Sequence, residues 1–508
     1  MLLISKKYFF CILYLLAIIY FTKGRKDLTK KTEINNKNNT EIKVKAPIVE
    51  ALETAYKNPT YQFHIPGHTK GKAVFKDFKK LIGEKALSLD TTDEFDNLGT
   101  LHPATGPIKQ AQELAADVFG ARKTFFLLNG STAGNLAIAM ALTKKGQKII
   151  VNRNCHRSIL TGLMISGAEP VWVCPSRIDD WSIWGNIEAW QIEELLEKDK
   201  DISMVWVTNP TYEGVVSDIR SISAVCKKHN VPLIVDEAHG CLWNFNKHLP
   251  ETALKLGADA VVHSLHKTGG SMSQTSMLHI SKDSCINEKD VEKALKLLHT
   301  TSPSLLLLAS LDAARANLES QTGLKQIEKA VNNAKYLRKR LDEIPNLHQL
   351  KADFGYKTDV TKVFIKIDGL SGKRLESILE IDFGIEVESA SDVGVLILCN
   401  LGNKRSDFKY LADALEKIAS ENHKDIYYLE KRKHMPMLEP QIVMSLRDAY
   451  YSEKETVKKE DAIGRISAEV VAECPPGISI LLPGELITKE HLPYLNDYEV
   501  LDVVKRQL

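Results

Sequence analysis

The sequence predicts an α/β fold in which a major domain with a mostly parallel sheet is followed by a smaller C-terminal α/β domain. Apolar, β-prone runs alternate with helical stretches between residues 124 and 262. Runs that are apolar throughout are typical of strands covered on both faces, and helices between such strands indicate a parallel sheet. The predicted strands are 124–128, 148–151, 170–173, 203–207, 231–235 and 258–262, with helices at stretches such as 132–142 and 218–229.

Helices are predicted on both sides of this alternation. Residues 107–119 begin with a proline at a first helical position and carry an apolar face, so a helix is expected there. Residues 46–101 contain shorter helical segments broken by turns, and residues 286–345 contain long helices with Lys and Glu on their surfaces. The long helices are interrupted at 300–303, where three hydroxyl residues precede a proline.

A second alternation begins near residue 361 and predicts the smaller domain. Its elements are two apolar runs and two helices, at 361–367, 372–380, 393–400 and 405–420. Farther on, residues 466–488 predict a helix, a Pro-Pro-Gly turn and a short strand. The expected organisation is a leader at 1–45, a major domain at 46–345 and a C-terminal domain at 346–508.

Composition excludes several classes of protein. The chain has 508 residues, enough for two or three domains with full cores. Its 67 Lys and Arg against 65 Asp and Glu give a net charge of +2, so no overall field favours nucleic acid as a partner. The eight cysteines form no CxxC pair, so neither a disulfide framework nor a metal site is predicted.

The first 45 residues have a different character. Lys6 and Lys7 precede an uncharged run from Tyr8 to Phe21, which is short for a membrane span and typical of the apolar core of a signal. A Lys- and Asn-rich stretch follows. We interpret residues 1–45 as a disordered leader that directs the protein to an organelle of the plastid type. An uncleaved membrane anchor and a cytoplasmic location are the alternatives.

Polar residues recur where the predicted strands end. Because ligands of parallel sheets bind at the carboxyl ends of the strands, these residues are the candidate site. They are Asn129-Gly130-Ser131-Thr132, His156, Asn209-Pro210-Thr211, Asp236 with His239, and Ser264-Leu265-His266-Lys267.

Each candidate has two interpretations when it is taken alone. Gly130-Ser131-Thr132 opens a helix after a strand, so it is either a phosphate cradle or an ordinary helix cap. Asp236 ends an apolar strand, where a buried acid requires a cation opposite it, such as a protonated pyridine nitrogen. His156 either lies flat on an aromatic ring or is a core histidine. Lys267 is either a surface lysine or an amine whose lowered pKa allows attack on a carbonyl.

Taken together, these residues favour one cofactor. A phosphate cradle, an acid for a ring nitrogen and a lysine able to form an imine are the three groups that bind pyridoxal 5′-phosphate (PLP). The sequence therefore predicts a PLP enzyme.

The chain resembles the Orn/Lys/Arg decarboxylases, PLP enzymes of the aspartate-aminotransferase-like fold, over about residues 46–490. The resemblance rests on several motifs that occur in the order of the family. They are HIPGHTKG (64–71), LHPATGPIKQAQELAADVFGARKTFFLLNGSTAGN (101–135), NRNCHRS (152–158), DEAHG (236–240), HSLHKTGG (263–270), HTTSPS (299–304) and PPGISILLPGE (475–485).

The resemblance implies a role for each candidate residue. Lys267 would be the Schiff-base lysine, Asp236 the partner of the pyridinium, and His156 the residue stacked on the ring. The remaining roles are phosphate binding by Ser131, Thr132, Ser264 and His266, a place beside the cofactor for His239, contact with the neighbouring subunit's phosphate for Ser302, and contact with the distal cation of the substrate for Glu485.

The resemblance also implies the reaction. A PLP-dependent decarboxylase would convert arginine, lysine or ornithine into CO2 and agmatine or a diamine, as in polyamine biosynthesis, and would form a homodimer or larger assembly with shared active sites. The chain looks like the short form of the family, without the extra N-terminal regulatory domain. It has Glu473-Cys474 where a tyrosine usually precedes the double proline, which leaves the particular substrate open.

Two other classes of function remain open at this stage. An aminotransferase or a C–S lyase would use the same residues, and Arg465 would either hold an α-carboxylate or lie on a helix surface. A non-catalytic, PLP-binding regulatory homologue is the second class.

Overall fold

A computed structural model of the chain describes residues 44–58, 61–93, 97–353, 355–421, 440–473, 478–495 and 498–506. Most of the predicted leader and the Pro-Pro-Gly turn lie outside these residues. Within the described ranges, no helix is both long enough and apolar enough to cross a membrane.

The central element is a seven-stranded sheet. Among the described residues before 282, the strands are β1 (Ala121–Leu127), β2 (Lys148–Asn152), β3 (Glu169–Val173), β4 (Arg177–Ile178), β5 (Ile183–Trp184), β6 (Val205–Thr208), β7 (Val215–Val216), β8 (Leu233–Asp236), β9 (Ala260–His263) and β10 (Ser276–Ser281). Seven of them form the sheet in the order β1-β10-β9-β8-β6-β2-β3.

The sheet is parallel in its centre and antiparallel at one side. Strands β3, β2, β6, β8 and β9 pair in parallel, which confirms the prediction. Strand β10 pairs antiparallel with both β9 and β1. These two reversals give β1 the direction of β9, so its carboxyl end lies at the same edge as those of the parallel strands.

Helices cover both faces of the sheet. They are α1 (Pro47–Lys57), α2 (Lys76–Ile82), α3 (Glu84–Leu89), α4 (Gly106–Phe119), α5 (Gly130–Leu142), α6 (Arg157–Ser166), α7 (Ala189–Lys198), α8 (Ile219–Lys228), α9 (Ala253–Leu256), α10 (Leu265–Thr268), α11 (Glu288–Leu298), α12 (Leu305–Glu319) and α13 (Gln321–Asp342). Val205 and Val207 pack into one apolar core, and Trp206 between them packs into the other. Both faces of the strand are thus buried, as its continuous apolar run predicts.

A smaller sheet follows, built from residues after 346. Its elements are β11 (Leu347–Gln349), β12 (Lys357–Thr358), β13 (Lys362–Ile367), α14 (Gly372–Phe383), β14 (Ser389–Ala390), β15 (Val395–Leu398) and α15 (Arg405–Ser420). The strands of the sheet lie in the order β11-β13-β15-β14, while β12 pairs with β7 of the major part. A separate apolar core lies between this sheet and its helices.

The described C-terminal segment contains α16 (Leu446–Tyr451), β16 (Lys454–Lys458), β17 (Val471–Glu473), β18 (Ile478–Leu481) and β19 (Val500–Val504). The helix predicted at the start of 466–488 is wrong, because residues 471–473 form a strand that pairs antiparallel with β18. Two adjacent valines at 470–471 favour a strand here, since β-branched side chains fit a pleated surface. Leu446 and Leu482 pack into the core of the large sheet. The domain boundaries at 345 and 346 stay a prediction.

Candidate active site

The candidate residues meet at the carboxyl edge of the large sheet. Asp236 ends β8, and Lys267 lies on the short helix α10 that directly follows β9. Since β8 and β9 are parallel neighbours, these two positions lie side by side. The first turn of α5 follows β1 and supplies Ser131, whose hydroxyl is hydrogen-bonded to that of Ser264 after β9, at 2.6 Å.

Lys267 is held among polar groups rather than on the outer surface. Its Nζ lies 3.1 Å from Nε2 of His239. Burial lowers the pKa of the Lys267 ammonium, while the carboxylates of Asp236 and Glu388 act in the opposite direction. A lysine in such a place has a larger neutral fraction than a lysine in water, and the neutral amine is the nucleophile.

Asp236 is a buried acid with one free oxygen. Its side chain is 3% exposed. Oδ2 accepts a hydrogen bond of 3.0 Å from Nδ2 of Asn135, whereas Oδ1 is buried and has no partner among the described residues. A buried carboxylate oxygen without a donor is costly, so this position fits a cationic or protonated group.

His156 is tied to the start of helix α6. Its Nδ1 accepts a hydrogen bond from the backbone N–H of Ser158 at 3.2 Å and lies 2.7 Å from the hydroxyl of that residue. Burial lowers the pKa of His156, with Asp236 opposing that effect and Lys267 adding to it. Burial therefore favours the neutral form of the imidazole.

The predicted phosphate ligands form two groups. Ser131 and Ser264 are joined directly, and a weaker contact of 3.4 Å links Ser131 to Ser276. Gly130 begins the helix with a φ of +65°, a left-handed conformation that favours glycine. His266 is fixed by a contact of 2.8 Å between its Nδ1 and the carbonyl of Thr275. Thr132 lies on the first turn of α5, and its role stays a prediction.

His239 contacts both Lys267 and Tyr212, which lies in the loop after β6. It is buried, with an exposed fraction of 7%, and its Nδ1 has no partner among the described residues. Burial, followed by the charges of Lys362 and Lys267, holds the pKa of His239 well below its usual range. The ring of Tyr212 meets it edge-on at 5.5 Å.

Three other predicted residues have partners outside the Lys267 group, and the roles of Ser302 and Glu485 stay predictions. Ser302 is exposed, and its backbone N–H bonds to Oγ1 of Thr300. Glu485 is fully buried, and its Oε2 accepts a hydrogen bond of 3.0 Å from the backbone of Leu482. Arg465 lies outside any helix and donates to Glu455 at 2.7 Å, so the expected helix-surface position is wrong.

Sequence reasoning missed Asn135, Tyr212 and Glu388. Asn135 could have been found, because it lies four residues after Ser131 and hence one helical turn away on the same face. Its Nδ2 also donates to the hydroxyl of Ser158 at 2.9 Å, which links the asparagine to the His156 group. No local sequence pattern predicts the contact between Tyr212 and Glu388, since these residues are 176 positions apart in the chain.

The residues present fit PLP. The unpartnered Oδ1 of Asp236 matches the protonated nitrogen of a pyridine ring. The hydroxyls of Ser131 and Ser264 lie at the N-terminus of a long helix, where backbone N–H groups and the helix dipole favour a phosphate. Lys267, whose ammonium has a pKa lowered by burial, supplies the amine for an aldehyde. Fold and site together thus define a PLP-dependent enzyme.

Comparisons with known proteins agree with this class and narrow it. Residues 46–363 match the Orn/Lys/Arg decarboxylase major domain, and residues 428–507 match the C-terminal domain of the same family. An arginine decarboxylase of Bacillus subtilis (strain 168) is 37% identical, over 88% of this chain and 92% of the relative. The constitutive lysine decarboxylase of Escherichia coli (strain K12) is 25% identical, over 87% of this chain and 76% of the relative. The chain belongs to the Orn/Lys/Arg decarboxylase family.

Solved structures show the same fold. The chain is similar to the E. coli constitutive lysine decarboxylase with a TM-score of 0.79 and 23% identity, covering 91% of this chain and 82% of the other. It is similar to the Francisella novicida lysine decarboxylase with a TM-score of 0.81 and 21% identity, covering 91% of this chain and 81% of the other.

The predicted organelle is wrong. Arginine decarboxylases at 36–37% identity come from Bacillus subtilis, Bacillus anthracis and Halalkalibacterium halodurans, which are bacteria without such compartments. The targeting leader was inferred from residues 1–45, most of which lie outside the described residues, and nothing in the comparisons supports it.

Proposed function

We propose that this chain removes the α-carboxyl group of arginine as CO2 and releases agmatine, using PLP held by Lys267, Asp236 and His156. A member of the Orn/Lys/Arg decarboxylase family is a decarboxylase of a basic amino acid. The observation that carries the assignment of residues is the approach of Lys267 Nζ to His239 at 3.1 Å, beside a buried Asp236 with an unpartnered oxygen.

Asp236 would hold the ring nitrogen in its protonated state. When bound, PLP supplies an aldehyde and a ring that accepts electrons from the bond being broken. The carboxylate favours the charged form of a nitrogen facing it, and Asn135 keeps the carboxylate oriented. Loss of either group would reduce the electron-accepting power of the site.

Lys267 and His239 would control proton transfer to the reacting carbon. The neutral imidazole of His239 can accept a hydrogen bond from the Lys267 ammonium, so the amine can hold a proton or release one within the site. The carboxylates of Asp236 and Glu388 favour the protonated amine, against the effect of burial. Lys267 is therefore suited to return a proton after CO2 departs.

The phosphate would be bound where the sequence predicts it. Ser131, Ser264 and the first turn of α5 form one side of the cradle, and His266 is positioned by the backbone of Thr275. Thr132 lies on the same first turn. Hydroxyls and backbone N–H groups bind a phosphate by directed hydrogen bonds, and the helix dipole adds attraction.

Arginine is the preferred substrate in this proposal because the arginine decarboxylases among the relatives are more similar in sequence to this chain than the lysine decarboxylases are. Proteins named arginine decarboxylase are 36–37% identical to this chain, whereas proteins named lysine decarboxylase are 24–25% identical. Lysine and ornithine are the competing substrates.

A homodimer with shared active sites completes the proposal. The segment before α4 exposes large apolar side chains, including Tyr61 at 94% and Phe63 at 96%, and such exposure is typical of an interface. Ser302 is exposed and free to reach a second chain, in the role predicted from the sequence.

Product analysis tests this function. The purified protein with PLP and a 2-oxo acid acceptor is incubated separately with arginine, lysine, ornithine and the neutral thioether amino acid cystathionine, and gas, amine, keto-acid and thiol products are measured. We expect CO2 and agmatine, with arginine giving the highest kcat/KM. A keto acid would indicate an aminotransferase, pyruvate with a thiol would indicate a C–S lyase, and PLP binding without any product would indicate a regulatory homologue.

A further inference from the structure

Lys362 is a buried lysine without a counter-ion. It is the first residue of strand β13 in the smaller sheet, and it is 2% exposed. Within the described ranges it forms no ion pair, and its ammonium donates a hydrogen bond to a backbone carbonyl instead. Burying a charge in this way is costly, and such groups are common at functional sites.

The acid that acts most strongly on Lys362 is directed to other groups. This acid is Asp359, which attracts the lysine electrostatically. Its Oδ1 accepts hydrogen bonds from the backbone N–H and the hydroxyl of Thr361, at 2.8 and 2.6 Å. Its Oδ2 accepts a hydrogen bond of 2.8 Å from Nε1 of Trp243. Asp359 therefore attracts the Lys362 ammonium without forming a hydrogen bond to it.

The Lys362 side chain holds the loop that carries Tyr212. Its Nζ donates a hydrogen bond of 2.5 Å to the carbonyl of Tyr212 and lies 5.2 Å from the centre of the tyrosine ring. Gly214, in the same loop, has a φ of +101°, and a Cβ added there would lie 2.9 Å from Cβ of Lys362. The backbone of the loop thus packs directly on the lysine, which only a glycine permits at this position.

Tyr212 connects Lys362 to the group around Lys267. The tyrosine ring meets the ring of His239 edge-on, with 5.5 Å between the centroids. Nε2 of His239 in turn lies 3.1 Å from Nζ of Lys267. One aromatic ring therefore contacts both the buried cation and the imidazole that faces the cofactor lysine.

Lys362 is charged at the pH values at which His239 could gain a proton. Burial lowers the pKa of Lys362 to about 8, so the ammonium keeps its charge in neutral and acidic solution. Burial, followed by the charge of Lys362, holds the pKa of His239 well below its usual range. The other titratable groups around His239 are Lys267, His266 and His156, together with the acids Asp236 and Glu237 earlier on the same segment.

We propose that Lys362 is a positioning residue for the reaction, which holds Tyr212 against His239 and whose charge disfavours a second cation at that imidazole. The inference rests on the proposed function, because it explains how His239 stays able to accept a hydrogen bond from Lys267. A protonated imidazole is a donor at both nitrogens and cannot accept that bond.

The test separates the charge of Lys362 from its hydrogen bond. Lys362→Gln removes the charge and keeps a donor for the Tyr212 carbonyl, whereas Lys362→Met removes both. Lys366→Met is the matched control, because Lys366 lies on the same strand, donates to the carbonyl of Asp180 at 2.8 Å and lies 4.7 Å from the ring centre of Trp181.

Each protein is purified with PLP, and urea titration verifies that it is folded. The pKa of His239 is measured by hydrogen–deuterium exchange at the imidazole carbon over a range of pH, with mass spectrometry of the peptides. The exposed His348 is the internal reference. The pH profile of kcat/KM is recorded over the same range with the preferred basic amino acid.

Both Lys362 variants should raise the pKa of His239, because a nearby like charge is removed. The acid limb of kcat/KM should move to higher pH in the same variants. Lys362→Met should also lower kcat/KM by roughly 3- to 10-fold at every pH, since Tyr212 is no longer held by a hydrogen bond. Lys366→Met should match the wild type in each measurement.

An unchanged pKa of His239 in the Lys362 variants, or an equal shift in Lys366→Met, would overturn the inference. If Lys362→Met does not fold, the same comparison with Lys362→Gln decides. A wild type that releases no CO2 from any basic amino acid would refute the proposed function, whereas an active wild type with an unchanged His239 pKa in the variants would refute the role of Lys362 alone.

Discussion

Asn135 donates a hydrogen bond of 3.0 Å from Nδ2 to Oδ2 of Asp236, a buried acid whose Oδ1 has no partner in the described part of the chain. The same amide donates to Ser158, whose hydroxyl lies 2.7 Å from Nδ1 of His156. One asparagine therefore orients both the acid expected at the ring nitrogen and the histidine expected against the ring face.

Replacing Asn135 should weaken PLP binding. Asn135→Ala removes a hydrogen bond to a charged group, worth about 1.5–3 kcal/mol, so the Kd for PLP should rise by roughly 10- to 100-fold. Equilibrium titration of the visible absorbance measures this. Asn332→Ala, at an exposed position on α13, is the matched control and should bind as wild type. Equal affinity in both variants would remove Asn135 from the site.

Lys267 should be the residue that carries the cofactor. The purified protein with PLP should absorb in the visible, lose that absorbance with borohydride, and yield a reduced adduct on Lys267 in peptide mass spectrometry. Lys267→Ala should give no adduct, while Lys282→Ala, an exposed lysine, should label normally. An adduct on another lysine would contradict the assignment.

Ser302 should act on the active site of the facing subunit. Lys267→Ala and Ser302→Trp chains, each inactive alone, should regain about a quarter of wild-type activity when unfolded and refolded together, because each mixed two-fold dimer holds one intact site. Cross-linking verifies that mixed dimers form. Activity that remains at the level of the separate variants, despite mixed dimers, would exclude action in trans.

Glu485 should contribute to stability rather than to substrate choice. Its carboxylate faces Leu482, His491 and, at 3.9 Å, Arg153, all of which are buried. Glu485→Gln leaves a buried arginine without its counter-charge and should lower the free energy of unfolding by about 3 kcal/mol. Urea titration measures this, with the exposed Glu490→Gln as control. A selective loss of basic substrate at unchanged stability would support the role predicted from the sequence.

The His102–His299 pair should make stability depend on pH. Nε2 of His102 lies 2.6 Å from Nδ1 of His299, and burial lowers the pKa of each to about 4. The folded state then binds fewer protons than the unfolded state between about pH 4 and pH 6.5, so stability rises with pH through that window and levels off above it. His299, the more buried of the two, contributes about 2 kcal/mol between pH 5 and pH 7.

Urea titrations at pH 5 and pH 7 test that expectation. His299→Gln should reduce the difference between the two pH values, whereas His348→Gln, at an exposed histidine that contacts Asp368, should retain it. An unchanged difference in His299→Gln would assign the pH dependence to other groups.

Much of the site could be predicted because its residues follow strands that are easily recognised. Apolar runs locate β8 and β9, and parallel pairing then places Asp236 and Lys267 side by side without further information. Strand β10 was not predicted, because Ser276 and His279 interrupt its apolar character. His279 is nevertheless buried, since its Nδ1 meets the hydroxyl of Thr124 on β1 at 2.8 Å.

The contacts that were missed depend on tertiary structure. Tyr212 and Glu388 lie on different sheets, and only the packing of those sheets brings the hydroxyl to the carboxylate. Glu485 was predicted in the site from its motif, and the burial that now defines its surroundings depends on Arg153, more than three hundred residues earlier. The periodicity of apolar residues along the chain does not predict contacts between side chains that are so far apart in the sequence.

The central claim is tested most directly by following the carboxyl carbon of the substrate. Arginine labelled with 13C at the carboxyl group is incubated with the purified protein and PLP, and the gas and solution products are analysed by mass spectrometry. The account predicts labelled CO2 and unlabelled agmatine in equal amounts, with none from Lys267→Ala. Label retained in a keto acid, or remaining entirely in unreacted arginine, would contradict it.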